Sequence, residues 1–116
     1  MTATSRKALR QLVARDGHVS AWTGEDVPEL VPQHRLNRGM GGSRQLDRVS
    51  NLVWIESEIN GLIEADPEWA KEAEDRGIKL RSWQLPENVP VTFADGRKLW
   101  LTRDGRKISW NEDTDF

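Results

Sequence analysis

Gln33-His34-Arg35-Leu36-Asn37-Arg38-Gly39-Met40-Gly41-Gly42-Ser43, followed by Ser50-Asn51-Leu52 and then Asn60, is the stretch whose reading decides the fold of this 116-residue chain. A histidine closes an apolar segment, Leu30-Val31-Pro32, in which Pro32 pushes Val31 toward the extended region. A loop rich in glycine and arginine follows over 37–46. A Ser-Asn pair then precedes an amphipathic run, with Asn60 nine positions after Asn51. Leu52, Ile55, Ile59, Leu62 and Ile63 recur at helical spacing, which predicts a helix over 51–65 capped by Ser50 or Asn51, with Gly61 as a point of bending or close approach.

Outward from this stretch, Leu9, Leu12 and Val13 predict a helix over 5–15 with Ser5 as its cap, ended by Asp16-Gly17. Residues 18–24 read as a short strand entering a turn. Asp66-Pro67 starts a further helix that stops at Gly77. From residue 78 the period becomes short. Strands are expected over 89–93, 98–102 and 107–110, joined by Asp95-Gly96 and Asp104-Gly105, a strong hairpin signal. The last six residues are acidic and expected to fray. The organisation is one domain over 1–116: an N-terminal helix (1–17), a core (18–65), a helix (66–77), an antiparallel β-meander (78–110) and a tail (111–116).

Apolar residues make up 36% and charged residues 31%, so the core is small, and six Trp and two Phe must supply much of its bulk. There is no cysteine and only two histidines, which excludes disulfides, thiolate zinc sites and all-histidine metal sites. A bound metal would rest on oxygen ligands, favouring Mg²⁺ or Mn²⁺. No apolar run is long enough for a membrane span and the first residues lack a secretory pattern, so a cytoplasmic protein with no membrane partner is expected. The net charge is −2. Residues 1–50 carry eight Lys and Arg against five Asp and Glu, and 51–116 carry nine against fourteen. Positive charge is concentrated at Arg35, Arg38, Arg44 and Arg48, with Asp47 the one acid among them. Such a cluster suits phosphate, and the bland alternative is a solvated loop.

Hydrolysis of a phosphodiester needs a base for water, charge stabilisation at the leaving oxygen and a grip on the phosphate. A histidine can be the base, a divalent cation can stabilise the leaving oxygen, and arginines with backbone N–H groups of a glycine-rich loop can hold phosphate. A lone histidine beside apolar residues is more commonly a satisfied core residue. His34 gains weight because Arg35, the glycine loop, Asn51 and Asn60 follow it in order.

This order resembles the HNH endonucleases, in particular small phage and actinobacterial proteins. The matching residues are Gln33-His34-Arg35, the loop from Arg38 to Ser43, Ser50-Asn51-Leu52-Val53 and Asn60. Outside them, Arg15-Asp16-Gly17-His18-Val19-Ser20-Ala21-Trp22-Thr23-Gly24 resembles the family's knuckle, with Ser20 and Thr23 where two cysteines would stand. Arg76-Gly77-Ile78, Val89-Pro90-Val91 and Leu101-Thr102-Arg103-Asp104-Gly105 extend the likeness over roughly residues 12–106.

The resemblance implies an α+β protein: a ββα-metal, treble-clef-like core, flanking helices and a C-terminal antiparallel β-meander. It implies a phage-encoded DNA endonuclease with His34 as general base, Asn51 steadying the loop, and one Mg²⁺ or Mn²⁺ held by Gln33 and Asn60, without structural zinc. Arg35, Arg38 and Arg44 would contact DNA. Gln33 departs from the family's Asp or His, so neither Gln33 nor Asn60 brings charge to the ion. Glu56, one turn before Asn60 on the expected helix, is the carboxylate that could supply it. Trp22 and Trp54 are expected to replace the knuckle by packing. A rival expectation is a degenerate HNH fold that binds DNA or a protein, with terminase-like packaging machinery the partner the resemblance suggests. Neither target specificity nor oligomeric state is legible.

Overall fold

A computed structural model describes residues 4–37 and 46–110. These form an α+β domain of three α-helices and two small antiparallel sheets. Helix α1 is Arg6–Asp16, strand β1 Leu30–His34, β2 Leu52–Glu56, α2 Ser57–Ala65 and α3 Pro67–Asp75. Strands β3 (Val91–Thr92), β4 (Lys98–Leu101) and β5 (Lys107–Ser109) follow in meander order. Single 3₁₀ turns stand at Val49–Asn51 and Pro86–Asn88. No described helix is long and apolar enough to cross a membrane.

The cap and turn signals of α1, α3 and the meander act as expected. The Ser5 side chain accepts from Ala8 N–H at the start of α1, and Asp66 accepts from Glu68 N–H with Pro67 in the first turn of α3. Gly77 ends α3 at φ 72°, and a Cβ there would lie 2.1 Å from the Pro90 carbonyl oxygen. Only glycine fits that position, for both reasons. The two Asp-Gly turns join β3 to β4 and β4 to β5, with Gly96 and Gly105 at positive φ.

Two expected elements are different. Residues 18–24 are not a strand. The Ser20 hydroxyl accepts from Trp22 N–H and Thr23 N–H, curling the chain into a turn. The expected helix over 51–65 begins only at Ser57, and 52–56 is a strand paired antiparallel to β1, with Gln33 opposite Val53 and His34 opposite Leu52. The reason is that Leu52-Val53-Trp54-Ile55 is buried on both faces. Leu52 and Trp54 pack with Ala8, Leu12, Leu30 and Val49 beneath α1. Val53 and Ile55 pack with Ala21, Ile63, Ala73, Ile78, Val91 and Leu101. A fully apolar run has no polar face to reveal its period of two. Ser50 and Asn51 therefore lie in a 3₁₀ turn and cap no helix, and a Cβ at Gly61 would meet nothing within 4 Å beyond its own helix, so no close approach requires glycine there.

Trp22 and Trp54 do not form a joint core, because they lie in different clusters. Trp22 stacks on Trp69 at 5.6 Å with the Arg76 guanidinium 4.2 Å above it, while Trp54 Nε1–H donates to the Gly17 carbonyl at 2.7 Å.

The two halves of the domain meet at Arg35, which is 1% exposed. Its guanidinium donates to four backbone carbonyls: Gly77 at 2.7 Å, Ser50 and Pro86 at 2.9 Å, and Val89 at 2.6 Å. Burial, with the nearby Arg15, lowers this group to about 9, which leaves it charged at neutral pH. Arg35 is thus occupied inside the protein, and the expected phosphate contact is corrected.

Beside it, Glu87 accepts from Arg48 at 2.6 and 2.9 Å and from the Ser50 hydroxyl. The Arg48 bond first, and the Ser50 bond with it, outweigh burial and hold the Glu87 carboxyl at about 2.

Two outcomes are expected. Arg35→Lys cannot reproduce the fork and should cost about 3 kcal/mol or more in urea unfolding, since it leaves buried carbonyls without donors; a loss below about 1 kcal/mol would remove Arg35 from this role. For Glu87, whose folded-state carboxyl is depressed, the stabilisation is present above about pH 4.5 and is lost as pH falls toward about 2. Glu87→Gln should flatten the acid limb of the stability curve by on the order of 2–3 kcal/mol. An unchanged acid limb in that variant would show that other carboxylates set it.

Candidate active site at the end of strand β1

The pairing of β1 with β2 and the return of α2 across them bring Gln33, His34, Asn37, Asn60, Glu64 and Lys79 to one cavity of about 20 Å³. That is room for one water or one small ion. Ile63 and Ile78 form its apolar floor.

Asn60 lies in the first turn of α2, and its Oδ1 is buried with no hydrogen-bond partner. Among the described residues it is the one buried side-chain polar atom left so. An orphaned acceptor of this kind costs about 1–3 kcal/mol unless an occupant of the cavity donates to it or is coordinated by it. Glu64, exposed and four residues further on the same helical face, also lines this cavity. Gln33 donates through Nε2 to the His34 carbonyl at 3.2 Å.

His34 is held from the other side. Its Nε2 lies 3.2 Å from Asp47 Oδ1, and both side chains are largely buried, 16% and 11% exposed. The second oxygen of Asp47 accepts from the Ser5 backbone N–H at 2.8 Å, at the N-cap of α1. With Nε2 donating to the carboxylate, Nδ1 retains the lone pair that a base needs.

Asn51 is fully buried and works on the loop. Its Oδ1 accepts from Leu36 N–H at 2.8 Å, and its Nδ2 donates to the carbonyls of Leu36 at 3.1 Å and Leu46 at 2.8 Å. It therefore ties together the two margins of the segment between β1 and the 3₁₀ turn. Arg38 and Arg44 lie outside the described residues.

Glu56 is placed away from the cavity, correcting the expected metal-ligand role. It ends β2 and precedes α2. Its carboxylate accepts from Ser20 Oγ at 2.5 Å and Thr23 Oγ1 at 2.6 Å. Burial acts to raise this carboxyl, but the two hydroxyls and its own backbone N–H outweigh it and hold it below the ordinary carboxylate value. Ser20 and Thr23 are the two positions read as replaced cysteines. One carboxylate joins them, closing the turn with hydrogen bonds.

Sequence reading missed Asp47, Glu64 and Lys79. Glu64 stands at the same spacing from Asn60 as Glu56, on the C-terminal side, and starting the helix at residue 51 turned attention to the wrong turn. Asp47 and Lys79 carry no local signal, since their roles depend on the return of distant segments.

Chemically, the cavity offers an unpartnered carboxamide oxygen, a second carboxamide at Gln33, one carboxylate and an oriented imidazole. This set fits a hard, oxygen-preferring divalent cation better than zinc. Among the described residues no group of three or more His, Asp or Glu is placed to hold a metal. Compared with protein-family models, curated proteins and solved structures, the chain finds no match in any of the three.

Glu56→Ala should cost about 1–3 kcal/mol in urea unfolding by leaving the Ser20 and Thr23 hydroxyls without their acceptor. A Glu56→Ala variant as stable as the wild type would show that this carboxylate does not close the 20–24 turn.

Proposed function

We propose that this chain is a metal-dependent endonuclease of HNH type, built on a ββα-metal core in which β1, β2 and α2 are the two strands and the helix. It would hydrolyse DNA phosphodiesters in the cytoplasm of a host, as a phage-encoded protein. The observation that carries the reading is the buried, partnerless Oδ1 of Asn60 in the cavity that His34 lines.

Gln33, Asn60 and Glu64 would hold one Mg²⁺ or Mn²⁺. Such an ion supplies charge stabilisation to the departing oxygen. His34 Nδ1 takes a proton from the attacking water as its oxygen bonds to phosphorus, and the P–O bond to the leaving group breaks. Asp47 keeps the imidazole in the tautomer this requires, as a positioning residue. Asn51 holds the margins of the loop that carries Arg38 and Arg44, which remain the proposed phosphate contacts together with Lys79.

A second reading is motivated by Gln33, a neutral residue where the resembled family has Asp or His. On it, the domain binds DNA or a protein partner, such as phage packaging machinery, without cutting. Calorimetry with Mg²⁺ and Mn²⁺ separates the two, since a non-cutting binder takes up neither ion at millimolar concentration, with or without DNA.

Plasmid nicking in Mg²⁺ tests the first reading. His34→Ala should lower the rate by at least about 100-fold with an unchanged thermal midpoint. Asn60→Ala and Glu64→Gln should raise the Mg²⁺ concentration needed, and Gln33→Asp should lower it. Wild-type cleavage by the His34 variant, or cleavage that survives EDTA, would overturn the proposal.

A further inference from the structure

Trp83 is 74% exposed, unlike the stacked Trp22 and Trp69 and the buried Trp54. It stands in a turn over 81–84 that is braced twice: Gln84 N–H donates to the Arg81 carbonyl at 2.9 Å, and Arg81 N–H donates to Gln84 Oε1 at 2.7 Å. The turn springs from Leu80, which is buried and donates its N–H to the Arg35 carbonyl at 2.8 Å, one residue past His34. The indole is therefore carried on a braced turn that begins two residues after Lys79, a lining residue of the candidate cavity.

Two cations flank this support. Lys79 lines the cavity. The Arg81 guanidinium lies 5.7 Å from the indole centroid and pairs with Glu74 at 3.1 Å, an exposed pair that costs little to exchange. An exposed aromatic face with a guanidinium near it, four residues along the chain from a lysine that lines a candidate phosphate-cleaving cavity, suits a nucleotide with an accessible base. The base offers a π-face and its phosphates offer the charge.

We infer that the 81–84 turn is a stacking platform for an unpaired base of the nucleic-acid substrate, with Lys79 and Arg81 engaging the adjoining phosphates. This rests on the nuclease reading for its placement and adds a substrate class to it: strands with unpaired bases near the scissile phosphate. A duplex keeps its bases stacked on one another and cannot offer that face without unstacking.

Binding measured in chelator keeps this inference separate from cleavage. Titrating the full chain with oligo-dT should quench tryptophan fluorescence, and a matched duplex should bind more weakly. Trp83→Ala should abolish most of the quench and weaken oligo-dT binding by about 5- to 100-fold, and Trp83→Phe should recover most of the affinity. Lys79→Ala should lower the slope of log affinity against log salt by about one. Equal affinity of wild type and Trp83→Ala for oligo-dT overturns the inference. So does concentration-dependent self-association lost in Trp83→Ala, which would assign Trp83 and its exposed neighbour Leu85 to a protein contact. Trp83-dependent binding without Mg²⁺-dependent nicking would sustain the platform while removing the hydrolytic reading.

Discussion

A buried guanidinium organises this domain. Arg35 follows directly on the strand that ends in His34, and its donors satisfy carbonyls from the 3₁₀ turn before β2, the C-cap of α3 and the segment leading into β3. Those carbonyls belong to irregular backbone with few other donors. A planar fork reaches several of them at once, and with the Glu87 carboxylate held by Arg48 and Ser50 it joins the segment before the meander to the strand pair. Arg15 plays a smaller version of the same part, donating to the Val49 and Leu52 carbonyls while paired with Asp16. A small core of mixed elements is thus joined through charged donors on backbone acceptors as well as through apolar contact.

Against that background of satisfied groups, the Asn60 oxygen stands out. Asn51, Glu56 and Glu87 all have their oxygens engaged by named donors. The one unengaged buried side-chain polar atom among the described residues belongs to Asn60, which lines the cavity together with an imidazole that is itself held by a carboxylate. Local inconsistency of this kind is concentrated where a protein does work rather than where it folds. The same logic separates the two helical-region glutamates. Glu56 is engaged in closing a turn, whereas Glu64 is among the residues lining the cavity.

Much of the fold was legible because its signals are short-range. Ser5, Asp66 and Gly77 act within a turn of where they stand, and the two Asp-Gly pairs set hairpins whose strands adjoin them in the chain. The error over 51–56 has a definite source. Leu52, Ile55, Ile59, Leu62 and Ile63 fit a helix, yet Leu52 and Ile55 face opposite clusters across a strand. Likewise Arg35 was expected at phosphate and is buried instead, because nothing in Gln33-His34-Arg35 reveals that three distant backbone segments converge on the third residue.

By itself, the amino-acid order determined the caps of α1 and α3, the two Asp-Gly turns and the three-strand meander, since each depends on residue type and on neighbours a few positions away. Tertiary packing decided which polar side chains are already engaged. It buried Arg35 among carbonyls, assigned Glu56 to Ser20 and Thr23, delivered Asp47 to the imidazole and left Asn60 without a donor. A side chain's availability is a property of what surrounds it in space, and hydrogen-bond partners 13 to 54 positions away along the chain supply those surroundings.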